Sequence, residues 1–235
     1  MDTDMAEESV GGRVLWGVGS PRTMRAHWAL HELLLPYEIE AIESRSGETQ
    51  TAQFSALNPR QKIPVLQDGD FTIAESPAIV AYLAEVYGSG KVRLLPARQR
   101  ERAQCYEWNF FLAMELDATA LYVIRRHTGL AHIHGEATMA VESAKSYFFK
   151  QLGCVDQTLR AGGPFLMGDG FTTADILLTT CLTWALMRQV PIYDSCRGYL
   201  DRVMKREGYA KGAAANASRP LQSSSAARES RSTSA

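Results

Sequence analysis

The chain has 235 residues, which is enough for one or two compact domains with a sizeable core. Its 25 Lys and Arg residues against 26 Asp and Glu residues give a formal net charge of -1, and this balance argues against a nucleic-acid partner. With 46% hydrophobic and 22% charged residues, and no apolar run near the ~20 residues of a membrane span, the composition is that of a globular protein in water.

The first twelve residues are polar and acidic, with Asp2, Asp4, Glu7 and Glu8 among them. A secretory signal needs a basic start followed by an apolar stretch. The sequence therefore predicts a flexible N-terminus over residues 1–12, a cytoplasmic location and no membrane partner.

A strand, a helix and a second strand are predicted in succession after this segment. Arg13–Val18 is a short apolar run rich in strand formers that breaks at Gly19-Ser20-Pro21. Helical spacing follows from Thr23 and stops before Pro36, because the residue ahead of a proline disfavours helical dihedral angles. Tyr37–Ile42 then alternates with a period of two, as a strand does. This order predicts a βαβ unit.

A hairpin and a helix are predicted next. Ile63–Gln67 and Phe71–Ala74 are short apolar runs separated by an Asp-Gly pair, which is a strong hairpin signal. Ser76 and the proline after it indicate the start of a helix over about Ala78–Tyr87, with the serine as N-cap. The first half of the chain is therefore predicted to be an α/β domain of order β-α-β-ββ-α.

The rest of the folded chain has almost no strand signal and is predicted to be all-helical. Candidate helices cover about Gln99–Thr128, Glu136–Arg160, Thr173–Arg188 and Tyr193–Arg206. From Gly212 onward Leu221 is the only large apolar side chain, which is too little burial to offset the entropy of ordering. The predicted divisions are an α/β domain at 13–88, a linker at 89–97, a helical domain at 98–210 and a disordered tail at 211–235.

Two segments of the first domain carry side chains that suit a ligand. Ser20 lies between a strand and a helix, where its hydroxyl either caps the helix or faces an anion at the positive helix end, and Thr23 has the same ambiguity. Pro64, between Ile63 and Val65, is compatible with a strand edge or with a cis bond that frees backbone groups for an extended ligand.

Polar residues before the second predicted helix also have two possible roles. Ser76 either caps this helix or binds a carboxylate there, while Glu75 would pair with an amine. Thr172 and Asp175, in contrast, have the spacing of a capping box and are predicted to be structural.

No metal site is predicted. His27 and His31 lack the glutamate of an H-E-x-x-H motif and a third ligand. The four cysteines are widely spaced, without a C-x-x-C pair, and are predicted to be reduced and buried. An aromatic cluster after residue 98 spans more than one helix face and is predicted to divide between the core and an interdomain ligand pocket, with members Tyr106, Trp108, Phe110 and Phe111.

Taken in order, these segments resemble the cytosolic glutathione transferases over about Arg13–Gly208. The similarity rests on Val14–Pro21, Asn58–Leu66, Phe71–Ser76 and Phe171–Ile176, each moderately specific and all in the family's order. The resemblance implies a thioredoxin-like N-terminal domain and an all-helical C-terminal domain, in a homodimer. It also implies glutathione as co-substrate, no prosthetic group, a small apolar electrophile as second substrate, and a role in detoxification.

The resemblance implies roles for individual residues too. Ser20, or Thr23 if the register differs by one residue, would contact the glutathione sulfur, as in the serine-type members. Pro64 would be the cis proline, and Ile63 or Val65 would pair its backbone with the cysteinyl part. The remaining glutathione contacts would be Lys62 near the glycyl end and Glu75 and Ser76 at the γ-glutamyl end. Peroxidase or isomerase side activity would use the same thiolate, and the alternative is a non-catalytic ligand-binding or scaffolding protein on this fold.

Overall fold

The computed structural model describes residues 12–88 and 92–217. The predicted flexible N-terminus therefore lies almost wholly outside the described residues, as do the first part of the predicted linker and the predicted tail from residue 218.

The N-terminal half forms a four-stranded mixed sheet, as its sequence predicts. Strand β1 (Arg13–Val18) leads through helix α1 (Pro21–Glu32) to β2 (Glu38–Glu43), which is parallel to β1. Strands β3 (Val65–Asp68) and β4 (Phe71–Ala74) form the antiparallel hairpin. The strand order β2-β1-β3-β4 confirms both the βαβ unit and the hairpin.

Gly17 interrupts the regular pairing of β1, because the register against β2 shifts between Trp16 and Val18. Its φ is 115°, a region that side chains disfavour, and a Cβ on Gly17 would lie 2.6 Å from the Ile63 Cβ. We expect Gly17→Ala to lower the free energy of unfolding by about 2–4 kcal/mol, from backbone strain and overpacking together. Urea denaturation measures this loss.

Gly47 provides the matched control for that substitution. Its φ is 92°, but no atom lies within 4 Å of the position that a Cβ would take. Gly47→Ala therefore has the backbone strain without the collision. If the two variants lose equal stability, contact with Ile63 is not what requires a glycine at position 17.

Two features of the N-terminal half differ from the prediction. A short helix α2 (Ala52–Leu57), missed in the sequence, is capped by Thr51, whose side chain accepts a hydrogen bond from the Phe54 amide. Helix α3 (Ser76–Tyr87) begins two residues earlier than predicted. The prediction of Ser76 as N-cap is wrong, since Glu75 occupies that position and Ser76 is the first helical residue.

The C-terminal half begins with a long continuous helix, in agreement with the predicted helix over Gln99–Thr128. It comprises α4 (Gln99–Phe111), a π-helical segment (Leu112–Leu121) and α5 (Tyr122–His127). π-helical turns are rare in proteins overall, but those that occur often lie at functional sites. This one carries the buried Asp117 toward the N-terminal domain.

Five helices follow this long helix, and α8 among them packs against α1, α4 and the π-helical segment. They are α6 (Ala131–His134), α7 (Thr138–Ala161), α8 (Thr173–Met187), α9 (Asp194–Val203) and α10 (Glu207–Asn216). The sequence predicted α7, α8 and α9 but missed α6 and α10. Helix α8 is nearly all buried and is the centre of the helical core.

The capping box of α8 is confirmed. The Thr172 amide donates to Asp175 Oδ2 at 2.8 Å, and the Asp175 amide donates in return to the Thr172 side chain. Asp175 also accepts hydrogen bonds from the Leu166 amide at 2.9 Å and from the Tyr199 hydroxyl at 2.8 Å. These bonds hold the start of α8, and Asp175 is structural.

Helix α10 corrects the predicted start of the tail. Residues 211–216 are helical instead of disordered, and α10 packs along α1. Its contact is close because a Cβ on Gly212 would lie only 2.8 Å from the Trp28 Cα. Burial of the Trp28 ring against Tyr209, with ring centroids 5.0 Å apart, adds to this packing.

The cysteines and His27 have structural surroundings. Three cysteines are buried as predicted, but Cys154 is exposed, so the prediction is wrong for this residue. His27 Nε2 donates to the Gly17 carbonyl at 3.1 Å while Nδ1 bonds the Tyr37 hydroxyl, and burial lowers the pKa of His27 to about 4. Within residues 12–88 and 92–217, no helix is long and apolar enough to cross a bilayer, and no cluster of three or more metal-ligating side chains occurs.

Candidate functional site

Ser20 caps the first helix and lies at the edge of a cavity. Its Oγ accepts a hydrogen bond from the Thr23 amide at 3.1 Å, and its own amide donates to Thr23 Oγ1 at 3.0 Å, which completes a capping box. The first turn of α1 contains no acidic residue, so the positive end of the helix dipole is not neutralised there. This end of α1 therefore favours an anion next to Ser20 Oγ.

Thr23 differs from Ser20 in accessibility. Thr23 is fully buried, and its Oγ1 lies 2.6 Å from Asn216 Oδ1, to which it donates. Ser20 is partly exposed and lines the cavity, whereas Thr23 does not. Of the two hydroxyl groups that the sequence left open, Ser20 is the one that a ligand can reach.

Asn216, near the end of the described chain, holds the loop that carries Ser20. The Gly19 amide donates to the Asn216 carbonyl at 2.9 Å, and Asn216 Nδ2 donates to the Ser20 carbonyl at 3.2 Å. With the Thr23 bond, three hydrogen bonds join Asn216 to this turn. Sequence reasoning missed this residue because it lies in the segment predicted to be disordered.

The cavity beside Ser20 has a volume of about 210 Å³ and lies between the two halves of the chain. Ile63 and Lys62 form part of its wall on the sheet side, and the Ile63-Pro64 bond is cis, as the sequence resemblance implied. Val65 is buried and paired with Trp16 and Ala74 inside the sheet. Ile63 is therefore the accessible residue of the two whose backbone could pair with a ligand. Tyr122, Arg125 and Trp184 line the helical side.

A larger cleft of about 830 Å³ continues from this cavity between α3 and α4. Arg22, Lys62, Ile63 and Tyr122 line both spaces, so the two spaces are adjoining parts of one groove. Pro64, Glu75 and Ser76 line the larger part. The predicted glutathione-contacting residues other than Val65 thus lie along this groove.

Two of the four aromatic residues predicted for an interdomain ligand pocket lie at a space between the domains. Tyr106 and Phe110 line the larger cleft, together with Met114 one turn later. Trp108 and Phe111 pack against each other and against the core, with ring centroids 5.7 Å apart, so their assignment to the pocket is wrong. Residues three or four positions apart lie on the same face of a helix. Tyr106 and Phe110 therefore share a face, and Trp108, two positions from each, lies on another.

Glu75 has an unusual backbone conformation at the start of α3. Its φ is 70° and its ψ is 111°, outside the regions that non-glycine residues ordinarily occupy. Its side chain is mostly exposed and lies 3.6 Å from the Arg60 guanidinium. Strained backbone of this kind concentrates at ligand sites, where the surrounding structure holds it in place.

A buried ion network joins Ser76 to the helical domain. Arg25, almost completely buried, donates to Ser76 Oγ at 3.3 Å and pairs with Asp117 Oδ2 at 2.7 Å. Arg22 pairs with the other carboxylate oxygen of Asp117 at 2.5 Å. Burial alone would raise the pKa of Asp117, but the two guanidinium groups, Arg25 first, hold it below its ordinary value. Asp117 therefore stays ionised and positions both arginines.

The arrangement suits an extended ligand with charged ends and a central anionic atom. Ser20 Oγ and the N-terminus of α1 can hold the anionic atom, the Ile63 backbone can pair with the middle of the ligand, and Ser76 and Glu75 can hold a carboxylate and an amine. Lys62 can bind a second carboxylate. None of these groups is an activated nucleophile, so the reacting group must belong to the ligand.

Two family models match the chain, described as "Glutathione S-transferase, N-terminal domain" over residues 11–85 and "Glutathione S-transferase, C-terminal domain" over residues 138–202. The chain is similar to glutathione S-transferase hmp2 of Hypomyces subiculosus, with 33% identity over 66% of this chain and 74% of that protein. It is also similar to glutathione S-transferase F14 of Arabidopsis thaliana, with 31% identity over 69% of this chain but only 62% of that protein.

Among solved structures, the chain is similar to the theta class glutathione S-transferase of Xanthomonas axonopodis pv. citri with glutathione bound. The TM-score is 0.73 at 25% identity, over 86% of this chain and 97% of that chain. The shared fold therefore extends over both the sheet domain and the helical domain.

Proposed function

The chain belongs to the glutathione S-transferase family, with its thioredoxin-like and all-helical domains, and we propose that it activates glutathione for attack on small electrophiles, with Ser20 as the catalytic residue. The observation that carries this proposal is the position of Ser20, accessible at the cavity edge on the N-terminus of α1. Thr23, the alternative sulfur contact, is buried.

The catalytic role of Ser20 follows from the ionisation of the glutathione thiol. A thiol of pKa ~8.5 is about 3% thiolate at pH 7, whereas one lowered by ~2 units is about 75% thiolate. A charge-assisted hydrogen bond contributes ~1.5–3 kcal/mol and the helix dipole ~0.3–1 kcal/mol, which together are enough for this shift. Ser20 Oγ lies 2.9 Å from Thr23 Oγ1, whose own proton goes to Asn216 Oδ1, so the Ser20 hydroxyl proton would turn from Thr23 toward the sulfur when glutathione binds.

The rest of glutathione would lie along the groove. We assign the γ-glutamyl amine to Glu75 and its carboxylate to Ser76, whose hydroxyl also contacts Arg25. The Ile63 backbone would pair with the cysteinyl part next to the cis Pro64, and Lys62 would bind the glycyl carboxylate. Val65, the alternative to Ile63, already pairs with Trp16 and Ala74.

The electrophile must lie where it can reach the sulfur. Reacting atoms have to approach to about 3–3.5 Å, so the acceptor belongs beside Ser20. Ile63 and Tyr122 provide apolar and aromatic surface there, whereas Trp184 is only 2% exposed. Tyr106 and Phe110 line only the larger cleft and are farther from the reaction than the sequence suggested.

We propose that a second copy of the chain covers the larger cleft. Phe110 and Met114 are 68% and 58% exposed, an unusual exposure for apolar side chains on neighbouring turns of one helix face. Sedimentation at equilibrium would reveal the dimer, and Phe110→Asp would dissociate it. A monomeric wild type would contradict this part of the proposal. A cytoplasmic detoxifying role, proposed from the family resemblance, is tested by cell fractionation and by electrophile sensitivity after deletion.

The direct test of the function is a pH titration of glutathione in the presence of stoichiometric protein, followed by thiolate absorbance. We expect saturable binding and a bound thiol that ionises well below ~8.5. Absence of saturable binding would refute the proposal. Saturable binding with an unshifted thiol would favour the alternative function of a non-catalytic carrier.

A further inference from the structure

The cavity beside Ser20 is lined by basic residues far more than by acidic ones. Five lining residues are cationic and no lining residue is acidic, although the whole chain is nearly neutral. The five residues are Arg22, Arg45, Arg60, Lys62 and Arg125. Such a concentration of one sign in a partly enclosed space attracts anionic ligands.

Two of these cations have carboxylate partners. Arg22 pairs with Asp117, and Arg60 lies 3.6 Å from Glu75. Among the described residues, no carboxylate lies within ion-pair distance of Arg45, Lys62 or Arg125. The proposed pose of glutathione brings two negative groups into this cavity, the glycyl carboxylate and the thiolate. These two anions face three cations that have no carboxylate partner, and Arg22 shares the single carboxylate of Asp117 with Arg25, so the cavity stays positively charged when glutathione is bound.

Arg125 is the cation best placed to hold something other than glutathione. It belongs to α5 of the helical domain, whereas Lys62 and Arg45 belong to loops of the sheet domain. Arg125 is partly buried, and its Nη2 reaches across to Ser44 Oγ at 3.5 Å. Burial lowers the pKa of Arg125, and the nearby Arg45, Arg188 and Arg22 lower it further, so a bound anion would relieve this repulsion.

We propose that the electrophile carries an anionic group, a carboxylate or a sulfonate, which binds Arg125 while its body packs against Tyr122, whose ring also contacts the Arg22 guanidinium. This inference rests on the proposed function and names its substrate class. The planar guanidinium fork matches the two oxygens of such a group. The anionic group only binds the protein and takes no part in the reaction. The thiolate sulfur attacks the electrophilic carbon, the C–S bond forms, and the leaving group departs with its electron pair.

The test uses a matched pair of acceptors, chlorodinitrobenzene and its carboxylated analogue chlorodinitrobenzoate, both of which release chloride. We expect Arg125→Gln to lower kcat/KM for chlorodinitrobenzoate by about tenfold or more, and for chlorodinitrobenzene by less than about twofold. Arg125→Lys should restore part of the activity toward the benzoate. Arg126→Gln is the matched control, because Arg126 is exposed and does not line the cavity.

Two kinetic outcomes would overturn the proposal. An equal loss with both acceptors would mean that Arg125 supports the fold or the reaction in general. A rise in KM for glutathione with both acceptors would mean that Arg125 binds glutathione instead.

Calorimetry of the two product conjugates separates this proposal from the proposed function, because it does not depend on turnover. The carboxylated conjugate should bind the wild type about tenfold more tightly than the neutral one, and Arg125→Gln should remove the difference. Equal binding to the wild type would refute the anionic substrate class while leaving transferase activity toward the neutral acceptor intact. Failure to bind glutathione at all would refute the proposed function itself.

Discussion

Ser20→Ala is expected to lower kcat/KM by about fiftyfold at pH 6.5, because the bound thiol returns from a pKa near ~6.5 toward ~8.5 and its thiolate fraction falls from about one half to about one hundredth. The loss should shrink as the pH rises, since above pH ~9 most of the thiol is ionised in either protein. The measurement is kcat/KM for chlorodinitrobenzene between pH 6 and 9, together with direct titration of the bound thiol.

Ser20 also caps α1, so its removal affects stability as well as chemistry. Loss of an N-cap costs about 1 kcal/mol with alanine but only a few tenths with glycine. Ser20→Gly therefore retains most of the cap without the hydroxyl, and Ser20→Thr retains the hydroxyl. We expect Gly to be as inactive as Ala, and Thr to keep most of the thiol shift. A fully active Ser20→Gly enzyme would exclude Ser20 as the sulfur contact.

Asp117→Asn is expected to lower the free energy of unfolding by about 3–5 kcal/mol at pH 7, because it leaves the buried Arg25 without its counter-ion. The folded pKa of Asp117 lies below its ordinary value. Its contribution to stability is therefore present above the unfolded pKa of ~3.9 and is lost as the pH falls through the folded pKa. Urea denaturation of both proteins at pH 7 and at pH 3 measures both effects, and the difference between the proteins should narrow in acid.

Two further variants test this interpretation of Asp117. Glu207→Gln removes an exposed pair with Lys211 and should leave the free energy of unfolding almost unchanged. The double variant Asp117→Leu with Arg25→Met replaces the two most deeply buried charges by apolar groups and should recover part of the lost stability, since Arg22, 35% exposed, still loses its carboxylate partner. The double variant should bind glutathione more weakly than the wild type, since Ser76 loses its contact with Arg25. A wild-type unfolding midpoint for Asp117→Asn would show that this ion network does not stabilise the fold.

The sequence predicted the elements that are specified by residues close together in the chain. The Asp-Gly turn predicted the β3–β4 hairpin, and the spacing of Thr172 and Asp175 predicted the cap of α8. Helix α10 was missed because, apart from Tyr209, its contact surface is glycine and alanine, which carry almost no hydrophobic signal although Gly212 packs directly on Trp28. Helix α2 was not predicted for a similar reason, since Phe54 is its only buried residue.

The candidate site was predictable only where a motif defines it. The resemblance located Ser20, the cis Pro64 and the Glu75-Ser76 pair, and the structure brings these into one groove. Arg125 and Asn216 could not be predicted, because their roles depend on which distant segments tertiary packing places beside Ser20. The same limit explains Trp108 and Phe111, whose helix face turns toward the core.

The bonds between Asn216 and the turn at Ser20 join residues 196 positions apart in the chain. During synthesis the Asn216 bonds to the turn that carries Ser20 can form only after α10 has emerged and docked on α1. A nascent chain that ends before α10 would therefore lack all three hydrogen bonds that Asn216 makes to this turn. On the proposed function, Ser20 would be fully held in position for the glutathione thiol only once α10 is docked.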